Sequence, residues 1–330
     1  MPLLKTIKNG AFEEVHRNIR FMKAVQQYSA WTKTYYVDND DGADGDTGES
    51  ENDAYLNVQT AINAAGAWGK VYIKPKKVPE LGAEGAGPYL GGANSYILPA
   101  TAANFYIPYT FYGMHLIGCG HGRGQASQWQ TYLRGHGSVT TEPTLDVKAP
   151  QVTVENLAFH AGASTVGQVR SKFYDSTAWQ SYGCTFYKNL FRLAGGAGAL
   201  ILDAAWSDHV EKCTFLSCQI GIYIGSSNSV PKRIYIGDSI FQGLTSEIEC
   251  DIYGPGGVIN ILMEDLRMNH ALPNTGSIKK FIAFAAASTG QFMNSTIGAT
   301  ATTAGTNTTL NGVGYSNIMC GTNIGLMTNA

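Results

Sequence analysis

Six short segments along residues 156–297 share one pattern of apolar and polar positions. Each segment ends in a large apolar residue and carries a small or apolar residue two positions earlier, with a mostly polar residue between them. Such alternation predicts a short β-strand with one buried face. The segments read NLAF, GCTF, KCTF, DSIF, DLRM and NSTI, and they end at Phe159, Phe186, Phe215, Phe241, Met268 and Ile297.

The spacing of these segments is nearly constant. Subtracting successive end positions gives intervals of 27, 29, 26, 27 and 29 residues. A fixed period of this size indicates an architecture that stacks one supersecondary unit. Because each unit contains a strand, and strands of neighbouring units pair in parallel, we predict an all-β chain folded as a parallel β-helix. Further strand patterns occur at 144–149, 220–225, 248–254 and 279–285, and the coils are expected to begin near Met114.

A short amphipathic helix is predicted near the N-terminus. Phe12, Val15, Ile19 and Met22 are spaced by 3, 4 and 3 residues with charged residues between them, so they form a narrow apolar seam. Two roles stay open for this helix: a cap over the first coil, or docking and oligomerisation through the seam. The predicted organisation is a helical docking or capping segment at 1–34, a β-helix at 35–300, and a Thr-, Asn- and Gly-rich C-terminal coil or tail at 301–330.

Residues 38–53 form a predicted turn with eight acidic side chains. Strand patterns at 35–37 and 71–73 and a helical pattern at 56–65 surround it. Gly42 follows the first aspartates too early for the EF-hand spacing. A solvated acidic turn is therefore favoured over a specific cation site.

The cysteines are predicted to be reduced. Cys184 and Cys213 hold the same inward position in two successive segments, so they are expected on neighbouring coils. Neighbouring strands lie about 4.8 Å apart, which exceeds the Cβ separation that a disulfide prefers. Both thiols are therefore interpreted as core residues, and a bridge is the less favoured alternative.

Several of these motifs together resemble a known superfamily. A YVD strand before the acidic turn, the VQTAINAA helix, the GKVYIKP and HLIGCG strands and the successive xCTF segments resemble the pectate-lyase-like, single-stranded, right-handed parallel β-helix superfamily, and in particular its variants on tailed bacteriophages. That resemblance implies a right-handed coil, a homotrimer, and a short N-terminal segment that docks on the virion. It is poorly specific for activity, because this coil carries lyases, hydrolases and inert structural proteins.

Asp238, Asp265 and Arg267 are the best candidate catalytic residues. The first positions of two successive segments place Asp238 and Asp265 on adjacent coils of one exposed face, about 4.8 Å apart, with Arg267 two residues further on. Two close carboxylates suit a general acid or a retaining glycosidase. The resemblance adds the alternative of Ca²⁺ held by the pair, with Arg267 serving β-elimination. The competing hypothesis is a structural charge ladder that includes Lys212. A second polar cluster, Asp208, His209 and Glu211, is expected in a turn.

The composition narrows the function classes. A net charge of −2 and a pI near 6.4 disfavour a nucleic-acid partner. The longest apolar run is too short to cross a bilayer, and no signal peptide is expected at the N-terminus. We therefore expect no membrane, and a location on a virion assembled in the host cytoplasm. No cofactor is expected, apart from calcium under the lyase alternative.

The expected function is that of a structural protein of a tailed-phage virion. A homotrimer that decorates the capsid, or that forms part of a spike or fibre, fits the resemblance and the incomplete catalytic set. Its expected partners are other virion proteins, such as the major capsid or a tail protein. Two alternatives stay open: a tail-spike depolymerase that acts on host surface polysaccharide, as a glycosidase or a lyase, and a glycan-binding adhesin without catalysis.

Overall fold

The computed structural model describes residues 33–43, 45–75, 95–97, 104–120, 131–135, 141–160, 166–172, 182–192, 194, 197–225, 229–243, 248–270, 278–284, 286–299, 307–320 and 325–327. These residues belong to one compact unit, Lys33–Ala330. The predicted docking seam of Phe12, Val15, Ile19 and Met22 lies outside the described residues and stays a prediction.

The described strands form three parallel stacks. The first stack contains β1 (Thr34–Val37), β2 (Lys70–Ile73), β5 (His115–Gly118), β8 (Thr153–Glu155), β11 (Thr185–Tyr187), β14 (His209–Glu211), β17 (Tyr235–Gly237) and β20 (Ile261–Glu264). The second contains β3 (Ser95–Ile97), β6 (Thr131–Arg134), β9 (Leu157–His160), β12 (Leu190–Arg192), β15 (Thr214–Leu216), β18 (Ile240–Gln242) and β21 (Arg267–His270). Two longer strands, β23 (Gly290–Ala299) and β25 (Gly314–Cys320), continue the first and second stacks.

The third stack forms the other wall of the coil. It contains β4 (Phe105–Ile107), β7 (Leu145–Val147), β10 (Val169–Lys172), β13 (Leu200–Asp203), β16 (Ile220–Gly225), β19 (Ile248–Gly254), β22 (Ile278–Phe284), β24 (Asn307–Thr309) and β26 (Gly325–Met327). Each strand pairs in parallel with the corresponding strand of the next coil. The prediction of a right-handed parallel β-helix is thereby confirmed.

Two bends in each coil are built on residues with left-handed backbone. The first bend precedes the first stack, and the second bend joins the first stack to the second. Left-handed residues are Gly113, Gln151, Gly183, Ser207, Arg233 and Asn260 at the first bend, and Asn156, Lys188, Lys212, Asp238, Asp265 and Asn294 at the second. From Asn156 to Asp265, the amides of the second-bend residues donate to carbonyls of the following coil, as from Asn156 to Tyr187 at 3.0 Å. The bends therefore stack in register along the solenoid.

The sequence alignment was wrong for one segment, GCTF. Phe159 pairs with Phe191, which pairs with Phe215, all in the second stack. Phe186 instead lies in the first stack, between Val154 and Val210. Both bends place a left-handed residue directly before a buried residue, so the first bend at Gly183 resembles the second bend in sequence. Cys184 and Cys213 consequently occupy different bends, contrary to the prediction, and the structure shows no disulfide at Cys119, Cys184, Cys213, Cys218 or Cys250.

A column of stacked phenylalanines fills the middle of the core. The rings of Phe159, Phe191, Phe215 and Phe241 follow one another with centroids 5.4, 4.8 and 4.7 Å apart. All four are at most 2% exposed, because the inward position of the second stack repeats once in each coil. The column belongs to a single hydrophobic core that runs from β1 to the last described coils.

The helix predicted at 56–65 is present as α1 (Val58–Ala65). Asn57 caps it by accepting a hydrogen bond from the Gln59 amide, and its apolar residues Val58, Ala61, Ile62 and Ala65 are buried. The strands on either side of it, β1 and β2, already pair in parallel with each other, so the coils begin well before Met114. None of the described helices is long and apolar enough to cross a bilayer.

Candidate functional site

The structure places the two predicted acids at equivalent positions of adjacent coils. Asp238 and Asp265 are second-bend residues, and the strands that follow them pair Ile240 with Arg267. Asp238, Asp265 and Arg267 are all exposed. Within the part of the chain that the structure describes, their side chains make no hydrogen bond or ion pair, and no cluster of three acidic, His or Cys side chains is arranged to hold a metal ion. The acids are adjacent, but they lack a shared catalytic partner.

Backbone conformation alone accounts for aspartate at these positions. The φ angles are 43° at Asp238 and 54° at Asp265, in the left-handed region that is costly for most residues and better tolerated by Asp and Asn. Asparagine occupies the same bend at Asn156 and Asn294. The repeated bend therefore explains why Asp238 and Asp265 are aligned, and their alignment is not evidence for a chemical role.

Lys212 makes its contacts with its chain neighbour Glu211 and with the preceding coil. Its ammonium group lies 3.3 Å from Glu211 Oε1 and donates at 3.3 Å to the hydroxyl of Tyr187 on the preceding coil. The hydrogen bond that Lys212 donates to Tyr187, followed by its contact with Glu211, raises the pKa of Lys212. Lys212 therefore compensates Glu211 rather than extending a ladder of charges through Asp238.

The cluster expected in a turn lies mostly in a strand. His209 and Glu211 belong to β14, and both point away from the core because Val210 between them is fully buried. His209 Nε2 lies 2.8 Å from Glu211 Oε2, and its ring stacks on Tyr235 of the next coil with centroids 4.3 Å apart. Sequence reasoning missed this geometry because the preceding bend at Ser207 resembles a loop.

Tyr235 extends the cluster by one more coil. Its hydroxyl lies 2.9 Å from Glu264 Oε1 in β20, and it crosses the position of Gly237 to do so. A Cβ at Gly237 would lie only 2.1 Å from that hydroxyl oxygen, so any side chain here would displace the Tyr235 hydroxyl from its present position. Burial, followed by the hydrogen bond to Glu264, raises the pKa of Tyr235, and Tyr235 therefore stays protonated and donates to the carboxylate.

These residues define one surface, named the outer face. It consists of Tyr187, His209, Glu211, Tyr235 and Glu264, bordered by the second-bend residues Lys188, Lys212, Asp238 and Asp265. The hydrogen bond from His209, with a smaller contribution from Lys212, lowers the pKa of Glu211 to about 2, so Glu211 is ionised. Four carboxylates stand against two ammonium groups on this face. Its chemistry is thus that of an acidic surface with aromatic rings.

Asp208 lies directly behind the outer face and is 1% exposed. It accepts hydrogen bonds from the Cys184 amide at 3.0 Å and from the Ser171 hydroxyl at 3.2 Å. Burial raises its pKa to about 7, against the opposing effect of these hydrogen bonds. No basic side chain lies within ion-pair distance of it in the described chain. Asp208 is a structural carboxyl group whose charge depends on pH.

Other predicted polar groups have structural partners. Asp38 in the acidic turn accepts from the amides of Asp40 and Asp41 and pairs with Lys74. Burial acts to raise the pKa of Asp38, but the hydrogen bond from Lys74, together with those from the two amides, holds this pKa below its ordinary value. His115 lies 3.0 Å from Glu155.

Comparison with known proteins does not identify a family for this chain. No family model and no curated protein matches this chain. A solved structure titled rhamnogalacturonan lyase is similar at 10% sequence identity and a TM-score of 0.31, over 90% of this chain and 83% of that chain. The class to which this protein belongs is therefore that of parallel β-helices, as its own strand pairing defines it.

Proposed function

We propose that this protein is a structural component of a tailed-bacteriophage virion, assembled as a homotrimer on the capsid or within a spike or fibre. The observation that supports a structural role is the conformation of the second bend. It accounts for Asp238 and Asp265 without catalysis, on a solenoid whose core continues from coil to coil. The virion assignment rests on the sequence resemblance, and its partners would be the major capsid or a tail protein.

The depolymerase alternative needs a catalytic set that works together. Asp238, Asp265 and Arg267 share an exposed edge but have no mutual hydrogen bond in the described chain. A double substitution, Asp238→Asn with Asp265→Asn, removes both charges while keeping residues that suit the bend. We expect it to preserve assembly and biological activity. Loss of a glycan-cleaving activity in this variant would favour the tail-spike enzyme instead.

The N-terminal seam is proposed as the docking and oligomerisation element. Met22→Asp places a charge in an apolar helix seam, which opposes packing against sister chains or a virion partner. We expect weaker trimers by analytical ultracentrifugation and an unchanged far-UV circular dichroism spectrum, with Lys23→Asp as a charge control outside the seam. Loss of the β-helix signal in Met22→Asp would identify the segment as a cap of the solenoid.

Copy number in purified particles tests the virion assignment itself. Quantitative mass spectrometry measures the ratio of this chain to the major capsid subunit. A ratio near that of the capsid subunit indicates a decoration protein, and a few copies per particle indicate a spike or fibre. Complete absence from particles would reject the proposal.

A further inference from the structure

We propose that the C-terminal end of the solenoid binds a second copy of this chain, end to end through strand β25. The two ends of the described β-helix differ: strand edges in the first coil have partners, whereas the last coil has a free strand edge and an uncovered core position. This inference goes beyond the proposed function and does not rest on it, since the contact would double whatever unit the chain forms, turning a monomer into a twofold dimer or a trimer into a hexamer.

Described residues occupy the outer strand edges of the first coil. The Tyr36 amide of β1 donates to the Gly48 carbonyl at 2.8 Å, and the Tyr36 carbonyl accepts from the Tyr55 amide at 2.9 Å. On β4, the first strand of the third stack, the Tyr106 amide donates to Gln59 Oε1 of α1 at 2.9 Å, and Gln59 Nε2 donates to the Tyr106 carbonyl at 3.0 Å. The acidic turn and α1 therefore close this end of the solenoid.

The last coil lacks such closure within the part of the chain that the structure describes. There β25 pairs only with β23, and β26 only with β24, so alternate backbone N–H and C=O groups of both strands point away from the solenoid without a partner strand. Residues 321–324 and 328–330 lie outside the described residues. These seven are far fewer than the 23 residues that separate Ile297 from its partner Cys320 on β25, so they are too few for another coil.

An apolar core position is also uncovered at this end. Tyr315 pairs with Phe292, which is fully buried, and Ile318 pairs with Ser295, which is 2% exposed. Tyr315 and Ile318 therefore occupy inward positions of the last coil, because paired residues of parallel strands point to the same side. Tyr315 is nevertheless 48% exposed, whereas the two inward residues of β1 are at most 6% exposed. A terminal repeat that exposes its core needs a cap or a partner.

Charge favours another copy as the partner. Residues 281–330 contain no Asp, Glu, Lys, Arg or His, so all 23 Lys and Arg and all 25 Asp and Glu residues lie before this segment. Edge strands of natural proteins are commonly protected by charges or proline, and β25, with the sequence GYSNIMC, has neither. An uncharged end offers no charge complementarity to a charged partner, whereas two identical uncharged ends meet without repulsion.

The free edge determines how the two copies meet. A head-to-tail contact would require the edges of β1 and β4, which are already occupied, so the contact joins like ends. Like ends are related by a twofold axis across the solenoid, and their β25 strands therefore run antiparallel and pair through the backbone. Met319 of β25 is 66% exposed, more than any other large apolar side chain that the structure describes, and it lies beside this junction.

Sedimentation velocity of the full-length protein tests the proposal. Tyr315→Lys with Met319→Lys places like charges on both copies at the junction. We expect the wild type to have twice the mass of this Lys variant, whose dissociation constant should rise at least about tenfold. Tyr109→Lys with Val230→Lys is the matched control, because it replaces apolar side chains that are 65% and 41% exposed away from β25, and it should keep the wild-type mass.

A charge exchange separates repulsion at the junction from damage to the fold. Tyr315→Glu with Met319→Glu should dissociate in the same way, and an equal mixture of this Glu variant with the Lys variant should restore the doubled mass, since opposite charges then meet. Circular dichroism checks that each variant keeps the β-helix. If a double variant unfolds, Met319→Lys alone, at an exposed position, makes the same comparison with the wild type.

Equal masses for the wild type and a folded Lys variant would overturn the proposal, as would a mixture that does not reassociate. Hydrogen exchange of wild-type β25 amides would then separate cover by the chain's own residues, which protects them, from a partner of another kind, which leaves them unprotected; either result rejects the second copy. Met22→Asp changes the mass of the underlying unit, whereas the ratio of wild-type to Lys-variant mass reports only the end-to-end contact. Failure here is therefore distinguishable from failure of the proposed trimer.

Discussion

The inner side of the second stack and the outer face of the first stack belong to the same coils, but they differ in how regularly residue types repeat from coil to coil. Inside, the column from Phe159 to Phe241 repeats one residue type at one position, and each ring packs on its predecessor. Outside, equivalent positions carry Tyr187, Glu211, Gly237 and Glu264, and no two successive residues are alike. Apolar packing requires only volume and alternation, whereas each polar contact requires a particular partner.

The difference separates what stabilises the solenoid from what it presents to solvent. A ring in the column contacts equivalent rings above and below, so its loss leaves a cavity between two coils. A group on the outer face is bonded to one or two neighbours and is partly hydrated, so its loss costs less stability. Substitutions on the two sides should therefore differ in size, and the following predictions test that difference.

The largest effect is expected within the column. Phe241 is fully buried and Ile240, its neighbour on β18, is 36% exposed, so the two residues test opposite sides of one strand. Phe241→Ala should lower the free energy of unfolding by about 4 kcal/mol, because a cavity replaces the ring. Ile240→Ala should cost less than about 1 kcal/mol. Chemical denaturation of both variants measures the difference, and equal losses would contradict the proposed division between the two sides.

A smaller, pH-dependent effect is expected from Asp208, between core and outer face. Its pKa is raised to about 7 in the folded chain, compared with about 3.9 for an unfolded aspartate. The stabilisation that this shift provides is therefore full below about pH 4 and is lost as the pH rises through 7. Between pH 5 and pH 8 the loss should be roughly 2–3 kcal/mol.

Asp208→Asn provides the comparison for this pH dependence. The amide has nearly the same shape and stays neutral, so it imitates the protonated carboxyl group. Calorimetric melting temperatures of the wild type should fall between pH 5 and pH 8 by more than those of the variant. Parallel pH profiles for the two proteins would show that Asp208 is already ionised in the folded chain at pH 5, as an aspartate with an ordinary pKa would be.

The buried strand positions that repeat in every coil were predicted well from the sequence. Alternation at Phe215 and Phe241 was enough to place strands, to orient their faces and to predict parallel stacking. It failed at GCTF, because two bends in each coil share the same local pattern and a single spacing does not distinguish them. It also assigned His209 and Glu211 to a turn, since a short strand with two polar outward residues looks like a loop.

The outer face was less predictable for a physical reason. Asp238 and Asp265 were found because a backbone requirement repeats every coil, and that same requirement explains them. Tyr235 and Glu264 meet only because the residue between two carboxylate positions is Gly237, a coincidence of side-chain length that no periodicity reveals. Contacts between unlike residues on three coils require coordinates.

The smallest predicted effect distinguishes backbone from side-chain roles at the second bend. Asp238 has a φ of 43°, and Asn tolerates this conformation whereas a β-branched residue does not. Asp238→Asn should change the free energy of unfolding by less than about 0.5 kcal/mol, and Asp238→Val should lower it by about 1–2 kcal/mol. Urea denaturation of the two variants makes the comparison, with Glu49→Val in the acidic turn as a control at an exposed position away from the left-handed bends. A large loss in Asp238→Asn would show that the carboxylate itself stabilises the coil, and the bend would then no longer suffice to explain the aligned acids.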